Sequence, residues 1–373
     1  MNVIVLKNNL KESLFIISGA RKESGNLPIL RNFLLETHDG KLKLSSTDLE
    51  IGITDLISAK VIQEGSIVIP YTVFSQITSN LSSERVSLET KGNSLLITAD
   101  NYKARITTAP KEDFPIIPEV KDKKNNFFEC DTDYFIESLT SVMSACQISD
   151  IRPELSGIYF SFKNDQIKLA ATDSFRLAEK TIPDKKFNSK FEKEFSCIIP
   201  LKTAVELSKN FSSKNDGKLK IVFDVNQILF ENDRTRLISR LIEGKFPDYE
   251  LIIPKNFQTE AVIDRNDLMG ALKLASSLSN RLNEVKFITD DNLKNINVLS
   301  SSQEFGESEY LLPAKIKGQG EHATYNWKFV IDGLKNIRSA SVFIGFNGED
   351  KATALKSPDD QSFIYIVMPI KSS

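Results

Sequence analysis

The sequence is poorest in the residues that catalysis uses most. Histidine occurs twice in 373 residues, as His38 and His322, and neither lies near a Ser or Cys in a recognisable nucleophile motif. His38 sits beside the turn dipeptide Asp39-Gly40, where a solvated surface histidine is expected. No G-x-x-x-x-G-K-[ST], no G-x-G-x-x-G after a strand, no H-E-x-x-H and no C-x2-C pair is present, so the usual phosphate, dinucleotide and zinc signatures are missing. Cys130, Cys146 and Cys197 are odd in number and read as incidental thiols in a reducing compartment. No apolar run approaches the roughly 20 residues that span a bilayer, and Met1-Asn2-Val3 opens into a strand pattern without a signal-peptide pattern. These shortages leave an enzyme possible but unsupported, and they suit a cytoplasmic protein with no metal and no cofactor.

What is present is a long internal repeat. Ile167 to Ala178 (Ile-Lys-Leu-Ala-Ala-Thr-Asp-Ser-Phe-Arg-Leu-Ala) echoes Leu42 to Ile53 (Leu-Lys-Leu-Ser-Ser-Thr-Asp-Leu-Glu-Ile-Gly-Ile), and Ile296 to Phe305 is a degraded third copy. Val68-Ile69-Pro70 recurs as Ile198-Ile199-Pro200, and Asp113-Phe114-Pro115 as Lys245-Phe246-Pro247. A period this long exceeds the range of roughly 20 to 50 residues of solenoids and propellers. It implies three tandem domains of similar fold, near 1 to 122, 127 to 252 and 257 to 373, each long enough to bury a core. The polar stretches 119 to 126 and 254 to 257 read as linkers.

Within each third, apolar residues at helical spacing alternate with period-2 runs. Leu6, Leu10, Leu14 and Ile17 share one helix face, as do Phe135, Leu139, Val142 and Cys146 on a helix expected over 133 to 149, and Leu268, Leu272, Ala275 and Leu278. A second helix per domain carries Val73, Ile77 and Leu81; Ala204, Leu207 and Phe211; or Val330, Leu334 and Ile337. The strand runs alternate apolar with polar and are joined by turns such as Asp39-Gly40 and Asn347-Gly348. Alternation favours antiparallel sheets with one wet face. The fold class is therefore α+β, each domain reading β-α-β-β-β twice. Thr47-Asp48 and Thr172-Asp173 resemble catalytic acids, but their recurrence at equivalent places suits a turn-stabilising role better.

Three motifs, Leu27-Pro28-Ile29-Leu30, Ala171 to Ala178 and Tyr365-Ile366-Val367-Met368-Pro369-Ile370, resemble those of the bacterial DNA polymerase III beta subunit, the β sliding clamp family, and Lys245-Phe246-Pro247-Asp248-Tyr249 fits it too. The resemblance runs along the whole chain. It implies three processivity-fold (DNA clamp) domains, sheets outside and two helices per domain lining a ring, and a head-to-tail homodimer around double-stranded DNA. It further implies tethering of the replicative DNA polymerase, the clamp loader and repair factors through short linear peptides, with no enzymatic activity and no membrane. Twelve helices spaced by roughly 8 to 10 Å close a circle of about 35 Å, and removing about 5 Å of helix radius on each side leaves room for a duplex.

A formal net charge of −2 argues against gripping phosphates by bulk electrostatics. The DNA-facing candidates are local instead: Lys7, Lys11 and Arg21; Lys202 and Lys209; Lys273, Asn280 and Arg281; Lys335 and Arg338. Carried over by resemblance, the peptide groove would use Leu155, Thr172, Ser174, Phe175, Arg176 and Leu177 from the second domain and Pro247 and Ile252 after it. Ile366, Val367, Met368, Pro369 and Ile370 would complete it. Phe175 and Leu251 stand where the best-known members carry His and Arg. The dimer contact would join an edge strand containing Ile106 to a helix containing Leu278. A tandem-domain scaffold that binds peptides without threading DNA is the alternative reading.

Overall fold

A computed structural model describes residues 1–22, 27–120, 126–163, 166–191, 193–211 and 217–371. Residues 121–125, which hold most of the expected first linker and the domain boundary at 122, lie outside the described residues, as do Ser372 and Ser373.

The first repeat runs β1 (Asn2–Leu6), α1 (Lys7–Ile17), β2 (Asn32–His38), β3 (Lys41–Thr47), β4 (Ile51–Gln63), β5 (Ser66–Pro70), α2 (Tyr71–Asn80), β6 (Arg85–Thr90), β7 (Ser94–Ala99) and β8 (Tyr102–Thr107). The second has β9 (Phe127–Asp131), α3 (Thr132–Met143), β10 (Gly157–Lys163), β11 (Gln166–Thr172), β12 (Arg176–Pro183), the short β13 (Phe187–Ser189), β14 (Phe195–Pro200), α4 (Leu201–Asn210), β15 (Lys218–Phe223), β16 (Gln227–Glu231) and β17 (Thr235–Arg240). The third follows with β18 (Thr259–Asp264), α5 (Arg265–Ser276), β19 (Glu284–Thr289), β20 (Asn295–Ser302), β21 (Gly306–Gly318), β22 (His322–Asn326), α6 (Trp327–Lys335), β23 (Ser341–Phe346), β24 (Thr353–Lys356) and β25 (Phe363–Val367). Each repeat is β-α-β-β-β twice, as its sequence periodicity predicts, with β13 inserted in the middle one. None of the described helices is long and apolar enough to cross a membrane.

Strand pairing also joins neighbouring repeats. The described chain divides into one unit of Met1–Ile136, Phe187–Glu192 and Val205–Leu241 and another of Glu137–Lys186, Lys193–Ala204 and Ile242–Ser373. Each unit is built on one sheet. The first has thirteen strands, in which β17 of the middle repeat lies against β4. The second has twelve, in which β12 lies against β25. Both junction ladders are antiparallel.

The helix stripes bury as amphipathicity demands. Leu10, Leu14 and Ile17 of α1 and Val330 and Leu334 of α6 are all within 2 % of fully buried; removing each such side chain from water stabilises by about 1.5 to 3 kcal/mol. Phe128 anchors the middle repeat's first half, its ring near Phe135, Phe187 and Phe223. Asp264 caps α5 by accepting from the Asn266 and Asp267 amides, and Asn326 caps α6 through the Lys328 amide. Such caps contribute about 1 kcal/mol each.

Four local expectations are corrected. Leu6 ends β1 and is half exposed. On α2 the buried face is Phe74 and Thr78 rather than Val73 and Ile77, because Phe74 packs on Phe33. α3 stops at Met143, well short of 149; beyond it the Cys146 thiol donates to the Leu155 carbonyl at 3.2 Å. Leu278 lies past the end of α5 in a turn closed by its amide on the Ala275 carbonyl. Asp39-Gly40 does form a tight turn between β2 and β3, both residues having positive φ, whereas Asn347-Gly348 opens a longer connection between β23 and β24.

Candidate functional site

The repeated Thr-Asp pairs are turn devices. In the first repeat the Thr47 hydroxyl donates to the Ile51 carbonyl and accepts the Leu49 amide, while Asp48 Oδ1 accepts the amides of Glu50 and Ile51. In the second, Thr172 donates to the Arg176 carbonyl and accepts the Ser174 amide, and Asp173 Oδ1 accepts those of Phe175 and Arg176. Leu49 and Ser174 hold matching left-handed backbones, φ 79 and 76, a conformation that costs an L-residue roughly 1 to 2 kcal/mol. The side-chain bonds offset that strain. The third copy, between β20 and β21, has lost the Asp and uses Gly306 at φ 102.

The second turn opens onto an apolar patch of the second unit. Leu155, Leu177 and Ile366 join Ala170, Ile198, Phe246, Tyr249 and Ala354 in one buried cluster, with Tyr159 and Ile253 packed against it. The ring of Phe246 stacks on Tyr159 at 5.0 Å. Sequence reasoning took Pro247 from this loop and missed Phe246 and Tyr249, although both stand in the same run. Thr172, Leu177, Ile366 and Val367 are buried, so they form a floor. The surface above it comprises Phe175, 62 % exposed, Ile252, 49 % exposed, and the half-buried Pro247, Met368, Pro369 and Ile370. The wall is fixed by backbone bonds: the Met368 amide donates to the Phe175 carbonyl at 2.8 Å and the Ile370 amide to that of Thr324 at 2.7 Å.

Charge is held rigidly around this floor. Arg176 Nε donates to Asp173 and its Nη1 to Asp332, both at 2.8 Å, while its guanidinium lies 4.2 Å from the Phe329 ring centroid. Arg152 reaches the Ser174 hydroxyl at 3.1 Å. Below, the Tyr249 hydroxyl donates to Glu179 at 2.7 Å, and burial, then the Glu179 carboxylate, push that phenol far above its ordinary range. Lys168 joins Glu179 and Glu250. Paired charge around an apolar floor suits a largely uncharged peptide better than a free ion.

The DNA-facing candidates divide by their partners. Lys11, Lys202, Lys273, Lys335, Arg281 and Arg338 are exposed. Lys209, Lys335 and Arg338 pair with Glu206, Asp332 and Glu137. Lys7 donates to the Leu81 carbonyl, Arg21 lies over Tyr71 and Asn280 bonds Glu284, so these three are partly committed to their own fold. Of the interface candidates, Ile106 is only 6 % exposed; its side chain belongs to the core, and its strand β8 has one backbone edge unpaired among the described residues. Leu278 is half-buried between the exposed Leu274 and Leu282. Burial pushes the Cys130 and Cys146 thiols up to about 12 and Cys197 higher still. His38 is exposed and beside Asp39. No metal-binding cluster occurs among the described residues.

Comparison with known proteins covers the whole chain. Family models of the DNA polymerase III beta subunit match in order: the N-terminal domain over residues 1–118, the central domain over 129–248 and the C-terminal domain over 250–371. The beta sliding clamp of Synechocystis is 27% identical, covering 100% of this chain and 99% of its own, and that of Rickettsia bellii is 28% identical over 100% of both. A DNA polymerase III beta subunit structure from Thermotoga maritima superposes with a TM-score of 0.90 at 27% identity, covering both chains fully. The Bacillus subtilis sliding clamp structure, at 24% identity, reaches 0.95 and likewise covers both chains, a match in fold.

Proposed function

The chain belongs to the DNA polymerase III beta subunit family, the non-catalytic sliding clamps, and we propose that it acts as a homodimeric ring encircling duplex DNA. In the cytoplasm it would tether the replicative polymerase, the clamp loader and repair factors. The observation that carries this reading is a pair of sheet edges left unpaired among the described residues.

Within each unit one junction ladder repeats. β17 lies on β4 with Thr235 opposite Asp55 and Ser239 opposite Ile51; β25 lies on β12 with Phe363 opposite Lys180 and Val367 opposite Arg176. The Arg240 amide bonds the Glu50 carbonyl just as Met368 bonds Phe175. Following the strand registers through the repeats maps the last strand of the first repeat, β8, onto β17 and β25, and β21 onto β4 and β12. β8 ends its sheet, and β20 is the only strand paired with Gly306–Tyr310 among the described residues. A second copy would supply the missing partner, β8 of one protomer against β21 of the next.

The transferred register puts Ile106 opposite Gly306, Ala104 opposite Ser308 and Tyr102 opposite Tyr310. It also sets Arg105 against Glu307 and Lys103 against Glu309. All four charged residues are exposed in the single chain, and opposite charges directly across a ladder stabilise it. A pairing that joins unlike ends of two chains is heterologous and closes when the rotation allows. Three repeats per chain and two chains give six junctions of one kind.

DNA would then pass the basic helix residues with weak, sequence-independent phosphate contacts. The groove over Leu177 and Ile366 would take extended peptides, its half-buried Met368 adapting to different anchors. Loading onto a nicked circular duplex tests the reading. The protein should stay bound to the circle and escape when it is linearised. Equal retention on both forms would refute encirclement and favour a scaffold.

A further inference from the structure

The repeat that builds the candidate peptide groove builds a second one in the first unit. Phe114 and Ile117 stand where Phe246 and Tyr249 do, Leu34 where Tyr159 does, and Ile238 of β17 where Ile366 of β25 does, by the same registers. Gly52 takes the place of Leu177, and the absent side chain leaves room into which Ile117 leans; a Cβ there would meet it at 2.7 Å. The result is a cavity of about 440 Å³, within the range of about 300 to 1,000 Å³ typical of ligand sites.

Its lining favours one kind of occupant. The apolar part includes Leu34, Phe114, Ile117, Leu229 and Ile238. The ionic part is balanced, three cations (Lys43, Lys111 and Arg236) against three carboxylates (Glu36, Glu112 and Glu119). Glu36 already binds Lys43 and Lys111 at 2.8 and 2.7 Å, and Arg236 binds Glu231. All three cations are thus paired, which leaves an anion no free partner, and the remaining carboxylates, Glu112 and Glu119, are solvent-exposed. Ile116, 93 % exposed on the lip, extends the apolar surface outward. We propose that this cavity is a second docking groove for a short, extended, uncharged apolar peptide of a partner protein. The inference rests on the reading of the first groove as a peptide site, whose strand frame it shares.

The test is photo-crosslinking to the full-length chain, with a capped hexapeptide of alternating leucine and serine carrying one diazirine-leucine, mapped by mass spectrometry. Adducts should fall on Phe114 to Pro118 as well as on Ile366 to Ile370. Those on the first strip should drop about tenfold in Ile117→Asp, since a carboxylate opposes apolar burial. Ile116→Asp, on the exposed lip, should lower them without touching the floor. Adducts at 366–370 alone would overturn the second groove and leave the first standing. Adducts at 114–118 alone would do the reverse, and labelling at neither would overturn both.

Discussion

The proposed ring depends on charge opposite charge at each closing ladder, and the register makes that dependence quantitative. Replacing Lys103 and Arg105 by Glu sets two carboxylates against Glu309 and Glu307. A favourable cross-strand pair contributes about 0.5 kcal/mol, and a like-charged pair opposes by a similar amount, so each reversal shifts the balance by about 1 kcal/mol. Two pairs per ladder and two ladders per ring make about 4 kcal/mol, a loss of about a thousandfold in dimer affinity. Contacts this close lie within the Debye length of about 8 Å at physiological salt, so added salt should narrow the difference without abolishing it. Glu307→Arg with Glu309→Lys should weaken the dimer equally. The decisive sample is the mixture. An acidic-edged and a basic-edged protomer are complementary at both ladders, so heterodimers should form where each variant alone is monomeric. Native mass spectrometry across a dilution series reads all three. Unchanged homodimers in both variants, or a mixture that stays monomeric, would refute the register.

Further expectations concern the remaining sites. Lys202→Glu, Lys209→Glu and Arg281→Glu together should impair loading and processive synthesis while leaving circular dichroism and peptide binding alone; synthesis at the parental level would remove these residues from the DNA path. Deleting Met368 to Ser373 removes the groove wall and should weaken a polymerase-tail peptide by about thirtyfold, or 2 kcal/mol, in calorimetry, with the dimer retained; unchanged affinity would displace the site. Asp55 is fully buried, accepting from Arg234 Nε at 3.0 Å and the Thr235 hydroxyl at 2.8 Å. Breaking such a pair costs about 3 to 5 kcal/mol when both partners are dry, and Arg234 is one-third exposed, so Asp55→Ala should cost about 2 to 3 kcal/mol in urea unfolding. A loss below about 1 kcal/mol would mean that the pair acts as an ordinary surface bridge.

Much of this organisation was legible in the residues, and the failures have physical causes. The stripes of α1, α4 and α6 could be read because Leu, Ile and Val sit at helical spacing with polar residues between them. α2 was misread because its buried face includes Thr78, whose hydroxyl is satisfied within the helix by the Phe74 carbonyl, and a threonine does not announce itself as core. The end of α3 was invisible because the apolar spacing runs on to Cys146 after the backbone has turned. Phe246 and Tyr249 escaped because their partner Tyr159 is on a distant strand. The β4·β17 and β12·β25 ladders were beyond reach for the same reason: periodicity says which face of a strand is wet and nothing about its neighbour.

The division of the middle repeat between two sheets has a consequence for how the molecule comes apart. The chain passes from one unit to the other five times, so neither can be released by cutting a single connection, and no excised repeat keeps all of its strand partners. A fragment made at the repeat boundaries would bare β4 or β17 along its length, an open template for aggregation. Loss of either sheet should therefore drag the other down in one cooperative transition, and proteolytic nicking should leave the assembly intact long after the first bond is cut. Interleaving of this kind also makes folding slow, since β4 must wait for β17 to be made before its last neighbour exists. The molecule gives up rapid assembly and gains resistance to piecemeal loss.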